Sequence, residues 1–198
     1  DNTNLNNLPS TASAKKKEKN GWTTKAWAPS ALKIDGDGDG KDEYYIFYTD
    51  GGGIGYVRGD SPVGPWHDDL GQKMFTSKSE GCEGVKWCFD PAVLADDKGN
   101  AYIYFGGGND EEKYVQTGRV CKLKFEKGTG IVSPDGIPKT LNTFCFFEDG
   151  EINQIDGKYI YSYCTNWDVK EDTPYVGAVQ IAAYVSSDPM NICFFPDK

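Results

Sequence analysis

Aromatic and aliphatic side chains alternate in three short runs of the chain: YIFY from Tyr45, YIYF from Tyr102 and YIYS from Tyr159. In an extended chain successive side chains point to opposite faces, so each run predicts a β-strand. Ahead of each run a hexad recurs: WAPSAL from Trp27, FDPAVL from Phe89 and FEDGEI from Phe147, 62 and 58 residues apart. The three align without gaps as aromatic, variable, Pro or Asp, small, variable, aliphatic. A turn rich in Asp and Gly separates hexad from run each time.

Each repeat accommodates four strands. They fall at 29–34, 43–49, 53–58 and 72–76; at 91–95, 101–106, 116–125 and 140–145; and at 150–155, 158–164, 176–185 and 190–195. No long stretch shows the i, i+3, i+4, i+7 spacing of a helix. A four-stranded antiparallel unit recurring about every 60 residues is a propeller blade. The expected fold is therefore all-β: three four-stranded blades, 21–85, 86–145 and 146–198, behind a flexible leader or inter-blade loop at 1–20. Three blades leave a ring open, so the remaining blades are expected from another chain or a further segment.

Composition narrows the chemistry. The chain has 198 residues, 30 acidic against 21 basic, and a net charge of −9. This balance excludes a phosphate-neutralising nucleic-acid surface. With no long apolar run, no membrane partner is expected. His67 is the single histidine, which excludes multi-histidine zinc sites and any serine triad not using it. GGG at Gly51 and at Gly106 continues into neither Lys nor Ser/Thr, so neither is a phosphate loop. The six cysteines contain no C-x-x-C pair; disulfides of a secreted protein and buried free thiols are both open readings.

The second hexad position holds Ala28, Asp90 and Glu148. If the hexads open innermost strands, the two carboxylates occupy equivalent places facing one channel. Trp87, Phe89, Phe146 and Phe147 flank them, and apolar walls together with a nearby like charge raise a carboxyl pKa. A carboxyl kept protonated near neutrality can protonate a leaving oxygen, so paired carboxylates here favour glycoside hydrolysis. The plainer reading is a pair of turn-capping acids.

Taken together, AWAPSA at Ala26, YYIFYTDGGGIGYV at Tyr44, SPVGPW at Ser61, CFDPAVLADDKGNAYIYFGGG at Cys88 and FFEDGEINQIDGKYIYSYCTN at Phe146 resemble glycoside hydrolase family 43. The resemblance spans residues 22–198. It implies a five-bladed propeller, secreted, hydrolysing α-L-arabinofuranosyl or β-D-xylosyl linkages of plant cell-wall arabinoxylan, xylan or arabinan with inversion. No cofactor is required for that chemistry. By motif, Glu148 matches the family's general acid and Asp90 the auxiliary Asp that tunes and orients it. The family's base, an Asp on the first strand of the first blade, has no counterpart before Trp27. Nor has the fifth-blade histidine that helps hold a central ion. A non-catalytic carbohydrate-binding propeller is the second reading.

Two further features stand out. DGDGDGKDE from Asp35 spaces Asp35, Asp37 and Asp39 as a calcium loop does, but its twelfth position is Ile46 rather than Glu. A calcium site and an acidic surface turn are both open. Trp27, Trp167, Phe89 and Phe147 are candidate substrate-binding rings, because sugars present apolar faces to aromatic side chains. Packing between blades is the alternative for each.

Overall fold

In the computed structural model, which describes residues 23–108, 116–143, 145–165 and 180–192, each alternating run is the second strand of an antiparallel sheet. The first sheet runs β1 (Trp27–Ile34), β2 (Glu43–Thr49), β3 (Gly53–Gly59), β4 (Phe75–Thr76), in that spatial order. The second runs β5 (Ala92–Ala95), β6 (Ala101–Phe105), β7 (Arg119–Phe125), β8 (Val132–Pro134). β9 (Lys139–Thr140) also pairs with β7. The third runs β10 (Phe146–Ile155), β11 (Lys158–Thr165), β12 (Ile181–Ser186). The described residues contain no helix. The strands expected at 176–185 and at 190–195 lie partly outside the described residues, and the 1–20 leader, Trp167 and Cys193 lie outside them altogether.

These sheets are three blades of a propeller. Their first strands pack side by side, β1 against β5 and β5 against β10, so the strands that open on the hexads are innermost. Alternation then explains burial. Tyr45 and Phe47 of β2 join Ile103 and Phe105 of β6 in one core between blades one and two. Tyr102 and Tyr104, on the opposite face of β6, meet Tyr159, Tyr161 and Tyr163 of β11 in the second core. Every residue of β6 is buried, because a middle blade has no solvent face.

The fourth strand of blade two departs from the expected 140–145. β7 is long, and its partner comes in two pieces: β8 on Leu123–Phe125 and β9 on Arg119–Val120. Pro134 closes the first piece, and Gly136, at φ 98°, turns the chain between them. Cys82, Cys88, Cys121, Cys145 and Cys164 are free thiols, four of them buried.

Candidate active site

The inner strands do not run straight into the channel. In β1, Trp27 pairs with Thr49 and Ser30 with Phe47, leaving Ala28 and Pro29 opposite one residue. In β10, Glu148 pairs with Cys164 and Glu151 with Ser162, leaving Asp149 and Gly150 bulged in the same way. Blade two repeats the pattern: the Phe89 carbonyl accepts the Gly106 amide at 2.9 Å, and pairing resumes at Ala92 with Tyr104. Each bulge holds one non-glycine residue in the left-handed region: Ala28 (φ 44°), Asp90 (φ 49°) and Asp149 (φ 56°). Such strain persists only where surrounding structure imposes it, and it clusters at functional sites.

This corrects the gapless alignment. Asp90 is equivalent to Asp149, and Glu148 to Trp27 and Phe89. A second register shift, between Phe146 and Glu148, inserts Phe147 and displaces the third hexad by one position. Trp27, Phe89 and Glu148 accordingly line one cleft of about 620 Å³. Trp87, Asp50 and Lys25 share its wall.

Asp90 sits beside that wall. Its backbone amide donates to Thr49 Oγ1 (3.0 Å), and its Oδ2 accepts the Asp149 amide (3.1 Å). Burial pushes its carboxyl up to about 6, with the charges of Glu148 and Asp149 adding and the Asp149 amide opposing. Glu148 is also raised, first by burial and then by the Asp149 charge. Asp149, its chain neighbour, is thus the like charge recorded against Glu148, where sequence reasoning assigned that part to Asp90. Glu151 is raised by burial, with Asp149 again contributing. A carboxyl raised in this way beside an exposed cleft is the type of group that can donate a proton.

The aromatic candidates divide. Trp27 is 50% exposed and offers its ring to the cleft, as does Phe89. Phe147 does not line the cleft; it meets Trp87 edge-on at 6.1 Å, and its carbonyl accepts the Gly108 amide across the blade boundary. Trp87, weighed in the sequence with the other tryptophans but not selected among the substrate-binding rings, also lines the cleft. It is 41% exposed, packs edge-on against Phe89 at 5.7 Å, and is tied to Gly107 by its amide (3.1 Å). Its place on a loop, outside any strand pattern, hid it. Asp50 was also missed. It is 2% exposed and accepts the amides of Thr24 (2.5 Å) and Lys25 (2.7 Å), fixing the segment that enters β1 at the cleft edge. The position right after the YIFYT run was its one sequence signal.

At the β1–β2 turn, carboxylate oxygens of Asp35, Asp37, Asp39 and Glu43 lie within 4.8 Å of one another. Glu43, which the spacing had not included, is 6% exposed and accepts the amides of Gly36 and Asp37. Asp35 accepts the Gly38 and Gly40 amides, so much of the turn's order is internal. The all-oxygen set nevertheless fits a hard cation.

The sequence model of glycosyl hydrolases family 43 matches residues 2–166. The chain is 39% identical, over 85% of its length, to an arabinoxylan arabinofuranohydrolase of Paenibacillus polymyxa, of which it covers 27%. It is 38% identical to an arabinoxylan arabinofuranohydrolase of Bacillus subtilis over 74% of its length, covering 29% of that protein. Among solved structures, a family 43 arabinoxylan arabinofuranohydrolase from Bacillus subtilis, in complex with cellotetraose, superposes with a TM-score of 0.77 at 35% identity. That match covers 86% of this chain and 35% of the other. An α-L-arabinofuranosidase from Clostridium thermocellum gives 0.69 at 31%, covering 90% and 52%. The chain thus spans about a quarter to a half of the length of these relatives.

Proposed function

Because this chain belongs to glycosyl hydrolase family 43, we propose that it supplies the proton-donating side of a cleft that removes α-L-arabinofuranosyl, or β-D-xylosyl, units from arabinoxylan with inversion. Glu148 supports this reading most directly. It is a carboxyl raised by burial and by Asp149, standing in the cleft where the equivalent positions of the other blades carry Trp27 and Phe89. Glu148 would protonate the glycosidic oxygen, while Asp90 orients it and its surroundings. Trp27, Phe89 and Trp87 would receive the apolar faces of the sugars. Inversion needs a second carboxylate across the sugar to activate water, about 6.5–9.5 Å from the acid. Carbohydrate binding alone would need the rings but not a proton donor. A polymeric substrate is met outside the cell, so an extracellular site of action accompanies this proposal.

The test is arabinoxylan hydrolysis by the protein expressed from its full reading frame, with the first-formed sugar followed by proton NMR. Free arabinose appearing first as the anomer opposite to the substrate linkage is expected. Retained configuration, or binding without release, sinks the reading.

The proposal extends to calcium at the β1–β2 turn, held by Asp35, Asp37, Asp39 and Glu43. Calorimetric titration should show a saturable heat that Asp37→Ala removes. Identical flat traces for both proteins would reduce the turn to an acidic surface loop.

A further inference from the structure

We propose that Tyr161 is a positioning residue for Asp90: its buried hydroxyl, seated behind the Asp149–Gly150 bulge, holds the Asp149 amide against the Asp90 carboxylate. The proposal rests on the preceding one for the importance of Asp90, but not for its geometry. Tyr161 lies on β11 opposite Ile152, next to the bulge. Its ring is clamped by Tyr104 (5.3 Å, stacked) and Tyr163 (5.9 Å, stacked), with Phe146 stacked beyond them at 6.5 Å. A ring so held has one place to put its oxygen. A Cβ on Gly150 would come within 2.1 Å of that oxygen and 2.8 Å of Cζ, so the phenol tip touches the bulge backbone itself. This contact is what requires glycine at 150. One residue earlier, the Asp149 amide donates to Asp90 Oδ2 at 3.1 Å.

The hydroxyl has no hydrogen-bond partner among the described residues. A phenylalanine would fill the same aromatic stack without burying an unpaired hydroxyl, which is costly. The oxygen therefore answers to the bulge rather than to the core. The other blades agree. Where Tyr161 pairs with Ile152 just past its bulge, the first blade pairs Ile46 with Ala31 and the second pairs Ile103 with Val93, so neither carries a hydroxyl at this place. Tyr104, the ring stacked on Tyr161 from the second blade, donates its own hydroxyl to the Pro189 carbonyl (2.7 Å). Among the described residues, a free hydroxyl behind the bulge occurs only where the acids converge. Burial, with the charges of Asp90, Glu151 and Asp149 in that order, pushes the Tyr161 phenol far above its ordinary value, so it stays neutral. The groups that face Asp90 are Glu148 and Asp149 from β10, Thr49 from β2, and Tyr161 and Cys164 from β11.

The experiment is a carbon-13 carboxyl titration by NMR of wild type, Tyr161→Phe and Tyr104→Phe. The wild-type Asp90 midpoint is expected near 6. Losing the prop loosens a hydrogen bond that favours the ionised form, so Tyr161→Phe should raise this midpoint by roughly half a unit to one unit. Tyr104→Phe should leave it in place. Asp96 is the internal control: it is buried, bonded to Asn100 and Tyr159, and away from the bulge. An Asp90 midpoint unmoved in Tyr161→Phe overturns the proposal. So does an equal shift at Asp96, or an equal shift in Tyr104→Phe, since each would mark a general loosening of the core. Because the readout is Asp90 itself, the result stands whether or not Glu148 proves to be the acid.

Discussion

Glu148→Gln will cut turnover on arabinoxylan by about 10²–10⁴-fold, the range that general acid catalysis contributes, while leaving activated aryl glycosides far less affected. The asymmetry follows from chemistry. A sugar alkoxide is a poor leaving group and needs the proton; a nitrophenolate departs without it. The glutamine keeps the shape of the cleft wall and its neighbours Trp27 and Phe89, so binding should change little. The pH profile carries a second signature. A raised Glu148 pKa keeps the acid form populated to higher pH, and the rate falls as pH rises through it. Asp149→Asn removes the like charge recorded against Glu148, so the basic limb should move down. Asp90→Asn should move it less. Equal losses on both substrate classes would remove Glu148 from the acid's role.

The blades were legible because their second strands alternate without interruption. Tyr45 and Phe47, Tyr102 and Tyr104, Tyr159 and Tyr161 each face a neighbouring sheet, and burial on both sides leaves strong period-two runs. The outer strand of blade two was not legible, because β8 and β9 are three and two residues long and owe their existence to β7. The acids could be found, but their mutual placement could not. A bulge inserts a residue without any compositional mark, so a gapless alignment set Asp90 beside Glu148 as equivalents. The left-handed residues Ala28, Asp90 and Asp149 show the true correspondence. They need not be glycine, and that is why the sequence carried no sign of them. Trp87 escaped for a different reason: it is placed by contacts made far away in sequence.

Those contacts centre on Arg119, and Arg119→Met is expected to destabilise the protein by about 3–5 kcal/mol. Arg119 lies on β7 and is 5% exposed. Its guanidinium donates to the carbonyls of Gly81 (2.7 Å), Glu83 (2.6 Å), Gln116 (2.8 Å) and Gly118 (3.0 Å). Two of those acceptors belong to the loop joining β4 to β5, the loop that carries Trp87. A buried charge with no carboxylate partner among the described residues is tolerated here because its fixed fork of donors meets oxygens in several directions. Methionine fills the volume but leaves the carbonyls without donors, and each buried acceptor left so is costly. For a chain of this size the melting temperature should fall by on the order of 10 °C. Arg119→Lys keeps the charge but cannot reach all four oxygens, and should fall between the two. Below the lowered melting point, Trp87 should also become more accessible to iodide quenching, since Gly81 and Glu83 no longer hold its loop to β7. A melting temperature within about 2 °C of wild type would mean that the Trp87–Gly107 bridge alone fixes the loop. The stability of the blade and the position of a cleft ring are thus set by one side chain, more than thirty residues from the ring it serves.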